Sequence, residues 1–138
     1  MSRMTGRLIG VGVGPGDPEL LTLKALNALE SADVVAYFAK AGNVSNARRI
    51  VEGHLNGAEE LPLLYPVTTE IPKEQAAYRD AIADFYDVSA AAVSSYLDDG
   101  RDVAVLSEGD PLFYGSYMHI HVRLSRRYRA EVIPGVTG

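Results

Sequence analysis

The 138-residue sequence contains no cysteine, no tryptophan and only three histidines. Without cysteine there is no disulfide, thiolate metal site or thiol nucleophile, and three histidines leave few ways to build a metal cluster. Uncharged runs such as 8–16 and 103–107 fall short of the roughly 20 residues that a membrane span needs. We therefore expect no bound metal and no membrane partner.

Basic residues are also scarce. Lysine and arginine number 13 against 18 acidic residues, so the formal net charge is −5 and the pI is near 5.1. Because nucleic-acid binding needs a concentrated basic face, this balance argues against a nucleic-acid partner. Residues 1–7 lack an apolar signal core, which predicts a cytoplasmic protein.

Hydrophobic residues make up 47% of the chain, enough for one compact domain with a core. Short apolar runs, typical of strands, alternate along the chain with helical patterns. Strands are predicted at 7–13, 32–38, 59–65, 102–106 and 130–133, and helices at 20–29, 47–54, 73–97 and 116–127. The alternation predicts an α/β fold, a mostly parallel five-stranded sheet with helices on both faces, formed by residues 1–138 as a single domain.

The third predicted helix is the longest, and we expect it to break near Ser89. Its buried stripe is predicted from apolar residues at helical spacing. These are Ala77, Ala81, Phe85, Val88 and Ala92.

Ligands of parallel sheets bind beyond the carboxyl ends of the strands, so function is expected in the loops there. Residues 10–15 follow the dinucleotide-binding fingerprint until the sixth position, where Pro15 replaces glycine. An acidic ribose-binding residue is also missing from the end of the second strand, where the chain has Phe38. Both departures argue against a nicotinamide oxidoreductase.

Asp110 follows the clearest strand and precedes a proline. Its carboxylate is expected to accept hydrogen bonds from a ligand or a neighbouring amide, or else to cap the following helix. Similarly, the glycine-rich loop after the first strand and the loop at 134–138 are each compatible with ordinary turns. No loop decides the function by itself.

Three motifs taken together, in chain order, resemble the tetrapyrrole methylase family, the class III methyltransferases that use S-adenosylmethionine (SAM). They are GVGPGDP at 12–18, GDP at 109–111 and PGVT at 134–137. Within that family, further stretches resemble the members that methylate C20 of precorrin-2, giving precorrin-3A on the route to cobalamin (vitamin B12). These stretches are 37–40, 46–50, 65–72 and 108–116.

The resemblance implies a bilobal homodimer that binds SAM between two α/β domains. This chain matches the N-terminal domain, so we expect it to be truncated at the interdomain junction and to lack the C-terminal domain. The resemblance assigns SAM contacts, mostly through backbone groups, to Pro15, Glu108, Gly109, Asp110, Phe113, Thr137 and Gly138.

The tetrapyrrole substrate is expected at the glycine loop and at a local basic patch, because precorrin-2 carries many carboxylates. The residues are Gly14, Gly16 and Asp17 in the loop, and Lys40, Arg48 and Arg49 in the patch. A solvated helix face is the alternative for the patch.

Methyl transfer from a sulfonium to carbon is an in-line displacement that needs alignment and exclusion of water, not a side-chain nucleophile. No catalytic side chain is therefore assigned. Some relatives place an aspartate after the tyrosine of the second strand, where this chain has Phe38. Two alternatives remain: the cobalt-containing substrate of the anaerobic route, and a non-catalytic half-domain.

Overall fold

A computed structural model describes residues 4–66, 75–112 and 115–137. The predicted site residues Phe113 and Gly138 lie outside these ranges. The described chain forms a parallel sheet of five strands, β1 (Leu8–Gly12), β2 (Val34–Lys40), β3 (Glu59–Tyr65), β4 (Val103–Ser107) and β5 (Ala130–Ile133). Four α-helices alternate with them, α1 (Leu23–Ser31), α2 (Asn46–Ile50), α3 (Ala76–Asp98) and α4 (Tyr117–Leu124).

Two apolar layers hold the helices against the sheet. On one face, α1 and α2 cover Ile9 and Val11 of β1, together with the buried residues of β2 and β4 that point to the same face of the sheet. On the opposite face, α3 and α4 cover Leu8, Val34 and Val103. The prediction of a five-stranded sheet with helices on both faces is therefore confirmed, and all the strand pairs are parallel.

The strand order in the sheet, β3-β2-β4-β1-β5, differs from the order in the chain. The chain moves from β1 outward to β2 and β3, and then returns to β4 and β5. Because parallel crossovers are right-handed, this reversal places α1 and α2 on one face and α3 and α4 on the other. The chain after β4 therefore leads to a helix on the opposite face of the sheet from the helices that follow β1 and β2, and a crevice opens at the carboxyl edge beside β4.

The predictions for α3 were wrong in two respects. The helix continues through Ser89 without a break, because this small side chain is buried on the face that packs against the sheet. The predicted stripe was also misplaced, since Val88 is 68% exposed and Ala77 is exposed. The buried residues are Phe85, Tyr86, Ser89, Ala90, Val93 and Leu97.

None of the helices in the described ranges is long and apolar enough to cross a membrane. Short 3₁₀ turns at Pro18–Leu20 and Glu52–His54 complete the connections.

The tightest contact between β1 and the helical layer joins Gly10 to Tyr117 of α4. The tyrosine is fully buried, and a Cβ added at Gly10 would lie 2.6 Å from its ring carbons. Its hydroxyl is hydrogen-bonded to Nδ1 of His121, 2.9 Å away. Only glycine fits beneath this fixed ring.

Replacing Gly10 with alanine should therefore lower the free energy of unfolding by about 1–3 kcal/mol, the usual cost of overpacking a core. Urea denaturation of the two proteins measures the difference. Gly53→Ala is the matched control, since no atom in the described part of the chain lies within 4 Å of a Cβ there. Equal losses from both substitutions would contradict the contact.

Candidate functional site

The loops after β1 and β4 are fastened to each other by their backbones. Gly14 donates to the carbonyl oxygen of Gly109 at 3.3 Å, and Gly109 donates to that of Gly14 at 2.8 Å. Both residues have positive φ, +82° and +71°, a region that glycine adopts without steric cost. The amides of these two predicted site residues are thus engaged, and only their carbonyl oxygens retain a lone pair for a ligand.

Asp110 ties the same junction to the loop after β5. Its carboxylate accepts a hydrogen bond from the amide of Leu112 at 2.8 Å and one from the amide of Gly135 at 3.3 Å. The sequence left several roles open for the Asp110 carboxylate, and the role observed is to accept hydrogen bonds from neighbouring amides. Asp110 does not cap α4, which begins at Tyr117.

Close backbone packing completes the junction. A Cβ at Gly12 would lie 2.5 Å from the amide nitrogen of Gly135, and one at Gly135 would lie 2.2 Å from the carbonyl oxygen of Gly109. Backbone atoms cannot move aside as a flexible side chain can, so these positions exclude any larger residue. The three predicted loops therefore meet as one unit, which we call the three-loop junction (residues 12–16, 108–112 and 134–137).

The outer side of the junction is open. No atom of the residues that the structure describes lies within 4 Å of a Cβ at Gly16 or Gly109, so a ligand can approach their backbone closely. Pro15 and Thr137 are exposed at the same edge. Asp17 is exposed too, but its carboxylate accepts from the amide of Glu19 at 2.9 Å and so begins the 3₁₀ turn.

Beside the junction, at the carboxyl ends of β2, β3 and β4, lies a cavity of about 450 Å³. Lys40, a predicted substrate contact, and Glu108, a predicted SAM contact, both line it. Phe38, Tyr65 and Ser116 also line it, and none of the three was predicted as a site residue from the sequence. Their positions at strand ends and just before a helix were the available signal, but tyrosines at such spacing are more often core residues.

The basic patch is divided by the fold. Lys40 lines the cavity, whereas Arg48 and Arg49 of α2 do not. Arg48 lies 2.6 Å from Glu60 of β3 through Nε and 3.4 Å from Glu52 through Nη1. Arg49 is exposed.

Glu60 is the centre of this ion-pair cluster. Hydrogen bonds from Arg48 lower the pKa of the Glu60 carboxyl, with a smaller contribution from Tyr37. The Tyr37 hydroxyl donates to Glu60 at 2.9 Å, and its pKa is raised, first by burial and then by this hydrogen bond. Arg48 therefore secures α2 to β2 and β3.

No group of three or more histidine, aspartate and glutamate side chains able to hold a metal ion occurs in ranges 4–66, 75–112 and 115–137. His119 stacks on Tyr86, with ring centroids 4.1 Å apart, and this packing lowers its pKa through burial. His121 bonds instead to Tyr117.

Asp110→Asn should weaken the three-loop junction. The amide keeps one acceptor oxygen but cannot serve both backbone donors, so we expect a loss of about 1–2 kcal/mol in the free energy of unfolding. Urea denaturation and the amide proton shift of Gly135 measure it. Asp84→Asn, at an exposed position on α3, is the control. An unchanged amide proton chemical shift of Gly135 in Asp110→Asn would contradict the hydrogen bond between Asp110 and Gly135.

Arg48→Met should destabilise the protein in a pH-dependent manner. A lowered carboxyl pKa contributes stability above the unfolded value, near 4.3, and this stability is lost as the pH falls through the folded value. The difference in unfolding free energy from wild type should therefore be largest at neutral pH and shrink below about pH 4. Arg49→Met is the control, and a difference that does not depend on pH would contradict the pairing with Glu60.

Comparison with known proteins places this geometry in a family. Residues 7–138 match the model of the tetrapyrrole (corrin/porphyrin) methylases. The chain is 67% identical over 133 residues to a precorrin-2 C(20)-methyltransferase of Sinorhizobium sp., which covers 96% of the chain and 54% of that protein. It is 26% identical over 136 residues to the cobalt-precorrin-2 C(20)-methyltransferase of Salmonella typhimurium, covering 97% of the chain and 54% of that protein.

Solved structures give the same result. Uroporphyrin-III C-methyltransferase of Thermus thermophilus superposes with a TM-score of 0.66 at 31% identity, covering 97% of this chain and 49% of that one. A structure of that enzyme complexed with S-adenyl homocysteine gives a TM-score of 0.64 at 29% identity, covering 96% and 49%. The chain spans about half the length of these relatives. Because the family model matches nearly every residue, from 7 to the end, the chain belongs to the tetrapyrrole methylase family.

Proposed function

We propose that the protein containing this chain transfers a methyl group from SAM to C20 of precorrin-2, giving precorrin-3A in cobalamin biosynthesis. The observation that carries the proposal is the 67% identity to the Sinorhizobium enzyme across 96% of the chain. The three-loop junction supports it, since it provides a rigid ligand-binding edge at the switch point of the sheet.

The residues present fit SAM. The open backbone around Gly16 and Gly109 admits close approach of the cofactor, and the ties through Asp110 keep the junction rigid. We propose that Pro15, Glu108, Gly109, Asp110 and Thr137 hold it, mainly through backbone groups. SAM supplies a methyl group on a sulfonium, and this chain contributes by fixing its position and excluding water.

We propose that the tetrapyrrole lies over the cavity beside the junction. Lys40 lines this cavity and can pair with a substrate carboxylate. Gly14, Gly16 and Asp17 do not line the cavity, and we propose that they contact the tetrapyrrole from the three-loop junction. Arg48 acts mainly through its pairing with Glu60, whereas the exposed Arg49 remains a candidate for direct contact.

The proposal includes the homodimer that the family resemblance implies, a cytoplasmic location, and chemistry without a resident metal. Neither a membrane nor nucleic acid is a proposed partner. The rival substrate is the cobalt-containing form, for which relatives are 26–27% identical. The much higher identity to the Sinorhizobium enzyme favours the metal-free substrate.

SAM binding measured by calorimetry tests the site. One sample is this chain, and the other is this chain fused to the remaining C-terminal part of the Sinorhizobium relative. We expect only the fusion to bind SAM tightly, because the family site lies between two domains. We also expect the fusion to add one methyl group to precorrin-2, which mass spectrometry of the product detects.

NAD is the control ligand and should not bind, since Pro15 replaces the fingerprint glycine. A fusion that binds no SAM would contradict the assignment of the site. A fusion that binds SAM and methylates only the cobalt form would assign the rival substrate. A fusion that binds SAM but transfers no methyl group to either substrate would favour a non-catalytic role for this domain.

A further inference from the structure

Three hydroxyl groups meet at the wall of the cavity. The Ser116 hydroxyl, just before α4, is hydrogen-bonded to the hydroxyl of Tyr65 at the end of β3 and to that of Tyr86 on α3, 3.0 Å away. Tyr65 and Ser116 line the cavity, and Tyr86 is not among its lining residues. The three form a hydroxyl cluster built by elements far apart in the chain.

The cluster has more O–H donors than there are hydrogen bonds among its three hydroxyl groups. Three hydroxyls carry three protons, and the two hydrogen bonds to Ser116 engage two of them. The hydroxyl of Tyr86 also raises the pKa of Tyr65, through its charge and through a hydrogen-bond contribution smaller than that of Ser116, but among the described residues only the contacts of the two tyrosines to Ser116 have the distance and angle of a hydrogen bond. Burial raises the pKa of Tyr65, so its phenol stays protonated at neutral pH. Among the residues that the structure describes, none accepts the third O–H of the cluster, which can therefore donate to a ligand.

Lys40 lies beside this cluster. Its Cα is the register partner of Tyr65 across β2 and β3. The Phe38 ring stacks on that of Tyr65, with centroids 5.9 Å apart, which shows that both point to the face covered by α3 and α4. Side chains alternate along a strand, so Lys40, two residues after Phe38, lies on the same face. Lys40 and the hydroxyls of Tyr65 and Ser116 thus line the same cavity, with Lys40 and Tyr65 side by side on neighbouring strands.

We infer that Lys40 and the two cavity-lining hydroxyls of the cluster, those of Tyr65 and Ser116, form a subsite for one peripheral carboxylate of the tetrapyrrole. A cation and a neutral donor together select an anionic oxygen acceptor. Glu108, on the β4 side of the same cavity, disfavours a second anion nearby, which restricts the carboxylate to the end at Lys40 and Tyr65. The inference rests on the proposed function for its substrate class, and it concerns binding and not chemistry.

The test uses the fusion protein and uroporphyrin, a stable tetrapyrrole with peripheral carboxylates, as the binding probe. Ser116→Ala alone would free the Tyr65 hydroxyl to donate, so the informative variant is the double substitution Tyr65→Phe with Ser116→Ala. We expect its Kd for uroporphyrin, and its KM for precorrin-2, to rise about tenfold or more, as for loss of a hydrogen bond to a charged group. The Kd for SAM and kcat should stay close to wild type.

Tyr86→Phe is the matched control. It removes a hydroxyl that does not line the cavity and leaves Tyr65 and Ser116 with one spare O–H, so the uroporphyrin Kd should change less than about twofold. Lys40→Gln, at an exposed position, should raise the same Kd and reduce its dependence on salt. Thermal melting of each variant checks that the fold is kept.

A double variant that binds uroporphyrin as tightly as Tyr86→Phe does, or a Lys40→Gln variant with unchanged affinity, would overturn the subsite. The proposed function fails separately, when the unsubstituted fusion transfers no methyl group to precorrin-2. Because the probe binding does not require turnover, the two failures are distinguishable.

Discussion

The reciprocal hydrogen bonds between Gly14 and Gly109 are the constraint on which the rest of the site depends. They require positive φ at both residues and bring two loops from adjacent strands to backbone contact. Once those loops are joined, the third can pack only if Gly12 and Gly135 lack side chains. Asp110 then fixes the arrangement by accepting the Gly135 amide. Glycine is needed here because backbone packs on backbone.

The carboxyl edge of the sheet divides into two adjacent parts with different chemistry. The three-loop junction offers mainly backbone groups, because the Asp110 carboxylate is engaged by the amides of Leu112 and Gly135, and this suits a ligand recognised by shape. The neighbouring cavity offers Lys40, Glu108 and the hydroxyls of Tyr65 and Ser116. Both exist because β4 lies between β1 and β2, with its following helix on the opposite face from theirs. A site that aligns a cofactor with a large polar substrate needs both parts.

Arg48 illustrates how a residue type suggests one role and its surroundings give it another. A pair of arginines near a ligand-binding edge indicated a patch for carboxylates of the substrate. In the folded chain, the nearest carboxylate to Arg48 is that of Glu60 on β3, at 2.6 Å. Its guanidinium secures α2 and so holds the cavity wall formed by Asn46 and Ala47. Lys40, in contrast, is directed to the cavity by strand alternation alone.

The sequence by itself determined the elements and their order, because strand and helix periodicities are local and the glycine and proline motifs mark the loops. It predicted β3 and β5 with the observed bounds and the three loops of the junction. Only the tertiary structure decided which face of α3 is buried, which carboxylate pairs with Arg48, and that Tyr65 and Ser116 share one cavity wall. Each of those depends on residues brought together by the strand order, such as Tyr65 and Ser116, which are 51 positions apart. Local periodicity carries no information about partners at that separation.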